Sequence, residues 1–240
     1  MRLTRHIPNT ITSMNLLFGV FGVIVTLQGR VDLAFLLMLG AAVCDFCDGL
    51  AARLLHAYSE IGKELDSLAD VVSFGVLPAL ILYQLMAYQV RGWIIFIPLV
   101  LAVFSALRLA KFNTDERQHD SFIGLPTPAS AMICGSLAYY VYKEPFTVLA
   151  DWCATLWFIP AVALVLSFLL VCELPMFSMK FGAGADQLTK TKRTAFLSIV
   201  ALIAIMTVVL RLNWSMIPLM AFVAYILMNV CFNCFKATRY

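Results

Sequence analysis

Residues 45–70 read Asp-Phe-Cys-Asp-Gly-Leu-Ala-Ala-Arg-Leu-Leu-His-Ala-Tyr-Ser-Glu-Ile-Gly-Lys-Glu-Leu-Asp-Ser-Leu-Ala-Asp. Apolar runs flank this stretch on both sides, so it is the end of one long helix, a polar turn around Tyr58–Gly62, and the start of another. Asp45 and Asp48 are three apart and share a helix face, and Asp66 and Asp70, four apart, share another. The short turn makes the two helices antiparallel neighbours. Asp48 lies eight residues, or ~12 Å, from the helix end near His56, and the other pair lies within two turns of the next helix start. All four carboxylates can therefore meet at one depth.

The rest of the chain makes that meeting costly. Of 240 residues 62% are hydrophobic and 13% charged, against roughly 25% charged in soluble domains, and the mean hydropathy is +0.90. This excludes a soluble enzyme, a disordered chain and a nucleic-acid binder. A span needs ~20 apolar residues. Apolar runs and polar breaks predict an all-α integral membrane protein of about eight transmembrane helices. They run from about Thr10 to Gln28, Asp32 to His56, Glu64 to Tyr88, Gly92 to Phe112, Pro126 to Tyr142, Cys153 to Glu173, Thr194 to Leu210 and Trp214 to Phe235. No repeat or linker divides the chain, so residues 1–240 read as one domain. No small-x-small site precedes Gln28, which predicts an uncleaved first span. The cysteines fall mostly in apolar runs and read as packing residues.

Lys and Arg set the orientation. With a cytoplasmic N-terminus, thirteen of the seventeen basic residues face the cytoplasm; Arg30, Arg91, Lys143 and Arg211 do not. Both termini, the longer loops and any chemistry are then cytoplasmic. The basic loop Lys180–Arg193 reads first as part of this bias and second as a contact for an anionic lipid head. The three histidines are given no role.

A carboxylate within a span costs a few kcal/mol and normally faces a cavity or a partner. Four in one place repel one another unless neutralised. Two divalent cations would neutralise them, and clustered oxygens suit hard ions such as Mg²⁺ or Mn²⁺. Such a pair, ~3.5–4 Å apart, serves phosphoryl transfer. Charge and geometry alone leave a cation-coupled transporter open.

The intervening residues are more specific. Asp45, Asp48, Gly49, Ala52, Arg53, Gly62, Asp66 and Asp70 fill every fixed position of D-x2-D-G-x2-A-R-x8-G-x3-D-x3-D. The stretch thus resembles the signature of the CDP-alcohol phosphotransferase family. That resemblance implies the family's fold, two divalent cations (Mg²⁺ or Mn²⁺) and a homodimer. It implies Asp45, Asp48 and Asp66 as metal ligands, with Asp70 as general base and further ligand. Gly49 and Ala52 match positions lining the cytidine site, and Arg53 and Gly62 match positions holding the nucleotide.

Residues 6–130 resemble one branch, the membrane-integral phosphatidylserine synthases. The start His6-Ile-Pro-Asn-Thr-Ile-Thr-Ser-Met-Asn15 carries Asn15 where glycerophosphate-using and inositol-phosphate-using relatives carry Arg. Asp66–Ala79, Arg108-Leu-Ala-Lys-Phe-Asn113 and Phe122-Ile-Gly-Leu-Pro-Thr-Pro-Ala129 are similar to that branch. The resemblance implies an inner-membrane enzyme transferring phosphatidyl from CDP-diacylglycerol to L-serine, releasing CMP. A sibling alcohol or an archaeal-type lipid donor is the alternative. Serine carries a carboxylate, so Arg108 and Lys111 are candidates to meet it, though both also read as interfacial anchors. Asn15, Asn113, Gly124 and Pro126 are further candidates for the serine and lipid-head site; Gly124-Leu-Pro126 also reads as a plain turn.

Overall fold

The structure, a computed structural model, describes residues 6–88, 90–114, 122–177 and 187–237. Nine helical elements follow in chain order among these residues. They are α1 (Ile7–Leu27), α2 (Val31–Leu54), α3 (Glu60–Ala87), α4 (Trp93–Thr114), α5 (Thr127–Lys143), α6 (Val148–Cys153), α7 (Phe158–Val171), α8 (Gln187–Val209) and α9 (Met216–Ala237). Residues 178–186, which hold the first half of the basic loop, and His119 lie outside the described residues; the second half of that loop, 187–193, is helical and forms the start of α8, because its residues continue the helix that the apolar run from Thr194 begins.

The all-α membrane reading holds, whereas the count of eight spans does not emerge from length and hydropathy. Six of these helices are long and apolar enough to cross a bilayer: α1 to α4, and the 191–209 and 216–233 parts of α8 and α9. α7 has 14 residues and α5 has 17. The physical reason is clearest in α5. It carries Thr127, Ser130, Gly135 and Ser136 and is buried along most of its length against α2, α3 and α9. Protein surrounds it, so it needs less apolar surface than a lipid-facing helix. Gly135 brings its backbone against Phe35 and Met38 of α2, and the core continues through Leu82, Leu101, Leu137 and Ile159.

α1 is built the other way round from a soluble helix. Thr12, Asn15, Gly19, Gly22 and Thr26 form its buried stripe, while Leu17, Phe21 and Ile24 face outward. Small residues let helices approach closely within a membrane, and here they bring α1 against α2 and α3.

Two prolines shape the helices beside the site. Pro78 inside α3 follows a π-helical turn, Val71–Val76, and Pro98 in α4 sits in a 3₁₀ turn, Trp93–Leu99. Proline lacks an N–H and crowds the preceding turn, and a local change of pitch accommodates it. α2 ends at Leu54, and His56 just beyond its cap has a φ of +50°, in the left-handed region. The His56 and Ala57 amides then bond back to Arg53 and Ala52, a Schellman ending. Ser59 caps α3, accepting from the Gly62 amide at 3.0 Å. The turn between the motif's two halves is thus held at both ends.

A two-stranded ribbon, absent from the expected elements, joins β1 (Phe122–Ile123) antiparallel to β2 (Pro175–Met176). At the start of α2, Asp32 bridges Arg30 at 3.2 Å and Lys143 at 3.0 Å. This buried carboxylate lies ~20 Å along the helix from Asp45 and is already neutralised.

Candidate active site

α2 and α3 bring the motif acids together as their spacing predicts. One carboxylate oxygen each from Asp45, Asp48 and Asp66 lies within 4.8 Å of the others. Asp70, one turn further along α3, stays outside that trio but within electrostatic reach of Asp45 and Asp66. Asp48 is 5% exposed and Asp70 9%. Asp48 Oδ2 and Asp66 Oδ1 are buried with no hydrogen-bond partner among the described residues. Buried, unpartnered carboxylate oxygens within one acid cluster are costly by themselves. They suit a hard divalent cation, which accepts carboxylate oxygens as ligands.

Beside the trio opens a cleft of about 240 Å³. Asp48, Gly49, Ala52 and Arg53 of α2 line one side, and Gly62, Lys63 and Asp66 of α3 another. Pro8, Asn9 and Thr12 of α1 and the turn Ala57–Ser59 complete it. A side chain at Gly49 would meet nothing within 4 Å, so helix packing does not demand glycine there; the open space belongs to the cleft. At Gly62 an added Cβ would stand 2.9 Å from both Asn9 Oδ1 and Ser59 Oγ, so that glycine keeps the turn and α1 in contact. Asn9 and Thr12 fall within the stretch 6–15, and their three-residue spacing after Pro8 was the available signal for their place in the cleft.

The remaining candidates divide. Asn15 is fully buried, and its Nδ2 donates to Asp70 Oδ1 at 3.3 Å. Its own Oδ1 has no partner among the described residues, and its backbone carbonyl accepts from Ser73 Oγ at 3.1 Å. Arg108 is not an exposed anchor: it is 7% exposed, and its Nη1 donates to Thr127 Oγ1 at 3.2 Å. Its Nε is buried without a partner among the described residues, its guanidinium lies 5.6 Å from the Phe112 ring centre, and it is within electrostatic reach of Asp70. A buried cation with an unused donor, near an acid cluster, can take an anionic group.

Lys111 sits instead at the surface, 3.4 Å from Glu173. Asn113 donates to Ser67 Oγ at 2.8 Å, and its carbonyl accepts from Lys63 at 3.3 Å, so it ties α4 to α3 at a residue that lines the cleft. Gly124 has φ +77°; its amide donates to Leu174, and the Leu125 amide donates to Leu169 at the end of α7. Pro126 is the residue before α5. Thr127 was missed because a lone threonine at a helix start reads only as a cap.

A family model described as CDP-alcohol phosphatidyltransferase matches residues 5–169. The chain is 36% identical over 182 residues to the CDP-diacylglycerol–serine O-phosphatidyltransferase of Mycobacterium tuberculosis (strain CDC 1551 / Oshkosh), over 72% of this chain and 61% of that protein. It is 36% identical over 134 residues to the protein of the same name from Bacillus subtilis (strain 168), over 56% and 76% respectively. It is also 33% identical over 135 residues to the archaetidylserine synthase of Methanothermobacter thermautotrophicus, over 54% and 56%. The chain thus spans about three fifths of the length of the mycobacterial relative.

Proposed function

The chain belongs to the CDP-alcohol phosphatidyltransferase family, and on that basis we propose that it transfers the phosphatidyl group of CDP-diacylglycerol to the hydroxyl of L-serine, giving phosphatidylserine and CMP. The observation that carries this reading is the convergence of Asp45, Asp48 and Asp66, with orphaned oxygens on Asp48 and Asp66, beside a cleft lined by Gly49, Ala52, Arg53 and Gly62. The names of the bacterial relatives support serine as the alcohol.

Asp45, Asp48, Asp66 and Asp70 would hold two divalent cations, Mg²⁺ or Mn²⁺, which when bound supply Lewis-acid stabilisation of the diphosphate charge. The open face at Gly49 and Ala52 admits the flat cytosine ring against the α2 backbone, and Arg53, with Gly62 opposite, holds the nucleotide. Asp70 takes the proton from the serine hydroxyl, which needs only hydrogen-bond reach. The freed oxygen forms a bond to the phosphorus carrying the diacylglycerol, and the bond from that phosphorus to the CMP oxygen breaks, CMP leaving with the electron pair. Asn15 keeps Asp70 oriented, and Arg108 meets the serine carboxylate. The acyl tails stay in the bilayer throughout. The protein acts as a homodimer in the inner membrane, with both termini and the cleft on the cytoplasmic side.

The test is CMP release by purified protein in detergent or nanodiscs, with CDP-diacylglycerol and a panel of L-serine, glycerol phosphate and inositol phosphate. Release that needs both L-serine and Mg²⁺ or Mn²⁺ supports the reading. Release with another alcohol alone assigns a sibling activity, and no release with any of them returns the acids to a transport role. The archaetidylserine synthase relative favours one second reading, an archaeal-type lipid donor with the same alcohol; the same assay with that donor separates the two.

A further inference from the structure

The family match stops at residue 169, yet α9 bonds a segment, 175–177, that is tied in turn to the residues before α5. α9 is apolar for most of its length, but Tyr225, Asn229 and Asn233 stand at four-residue intervals and so share one face. Each of them bonds the backbone of one short segment, while the Asn229 and Asn233 amides also bond α9 carbonyls. Tyr225 Oη donates to the Phe177 carbonyl at 2.9 Å, and Asn229 Oδ1 accepts from the Phe177 amide at 3.0 Å. Asn233 Nδ2 donates to the Pro175 carbonyl at 2.9 Å. Tyr225 and Asn229 are buried. The rings of Phe177, Phe196 and Tyr225 pack edge to face with centres 5.0–6.0 Å apart.

The held segment does not end there. β2 within it pairs with β1, and the Gly124 amide donates to Leu174 at 2.9 Å. The chain passes three residues later to Thr127, whose hydroxyl accepts from Arg108 Nη1. Tyr225 itself lies within electrostatic reach of Arg108. Buried backbone groups left unpaired in an apolar bundle are costly. Three side-chain bonds, the two to Phe177 buried, therefore fix this four-residue segment, and through it residues 122–124.

We propose that Tyr225 and Asn229 are positioning residues for the alcohol subsite: they fix the 174–177 segment, which holds residues 122–124 and so the entry into α5, where the Thr127 hydroxyl orients Arg108. This rests on the serine-transfer reading and adds to it that the region beyond the family match sets alcohol affinity. The CDP-lipid cleft, built by α1, α2 and the start of α3, shares no residue with this chain of contacts. Loss of the tether should therefore act on one substrate and not on the other.

The experiment compares steady-state kinetics of the full-length wild type with Tyr225→Phe, Asn229→Leu and Met220→Leu, varying L-serine and CDP-diacylglycerol separately. Tyr225→Phe keeps the aromatic trio and removes one hydroxyl, so it should fold. The expected result is a KM for serine raised roughly three- to tenfold in Tyr225→Phe, as for loss of one buried hydrogen bond, and by more in Asn229→Leu. The KM for CDP-diacylglycerol should stay within twofold of wild type, roughly. Met220→Leu, on the apolar face of the same helix, should change neither. Equal rises in both KM values, a fall in kcat alone, or unchanged kinetics in Tyr225→Phe would overturn the proposal. A wild type that turns over no serine would instead overturn the serine reading itself.

Discussion

The side-chain amide of Asn15 donates to Asp70 Oδ1 across 3.3 Å, joining α1 to the acid that stands apart from the other three. Asn15 is locked in turn by Ser73, whose hydroxyl bonds its backbone carbonyl, just inside the π-helical turn of α3. Widened turns of this kind recur at functional sites, and here one sets the contact between α1 and α3. Asp70→Asn should lower turnover by about 10²–10⁴-fold, the range for a general base, while a cytidine nucleotide still binds. Asn15→Leu should lower kcat by roughly tenfold, since Asp70 remains but loses its orienting bond. Single-turnover rates alongside nucleotide binding check both; near wild-type rates in Asp70→Asn would remove it from the role of base.

Metal binding should be separable from activity. Asp45→Asn, Asp48→Asn and Asp66→Asn should each weaken Mn²⁺ binding, followed by the loss of the free-ion signal in electron paramagnetic resonance. The same changes should raise thermal stability without metal, because each removes one of several buried like charges, a relief on the order of 1 kcal/mol. In saturating Mn²⁺ the order should invert, with wild type the most stable, since a ligand that binds the folded state stabilises it. A wild type whose melting temperature ignores Mn²⁺ would contradict the assignment.

Arg108→Ala should raise the KM for serine at least tenfold, about the worth of a charge-assisted hydrogen bond, and change the KM for CDP-diacylglycerol far less. Arg108→Lys should recover only part, because an ammonium cannot keep the Thr127 contact and present a second planar donor together. Equal effects on the two substrates would make Arg108 a structural cation.

Two glycines should respond in opposite ways. Gly124 has φ +77°, and an added Cβ would lie 2.7 Å from the Leu170 carbonyl oxygen. Gly124→Ala should therefore cost at least about 1–2 kcal/mol of stability from backbone conformation alone. Gly49→Ala meets nothing within 4 Å, so its melting temperature should hold while the KM for the CDP-lipid rises. Thermal unfolding and kinetics on the two variants test the division.

These contrasts show which parts were legible in the chain. The acid cluster was, because its geometry depends on helical spacing and one short turn, both local. So were Gly49, Ala52, Arg53 and Gly62, which follow the same two helices into the cleft. Arg108 was ambiguous, because a cation three residues before Lys111 looks like the end of a span. Its burial comes from α5 and its neighbours, which local pattern does not reveal. α5 itself carries more polar residues than a lipid-facing helix, because protein surrounds it. The β1–β2 ribbon and the Tyr225–Asn229–Asn233 ladder join residues ~50 or more apart. Such contacts leave almost no periodic trace.

The most direct test of the central claim, that the serine hydroxyl attacks the lipid-bearing phosphorus, follows that oxygen. L-serine labelled with ¹⁸O in its hydroxyl is supplied with CDP-diacylglycerol, and the products are weighed by mass spectrometry. The account predicts that each CMP released is matched by one phosphatidylserine carrying the label, with none in CMP. Release of CMP with no labelled lipid, or label appearing in CMP, would contradict it.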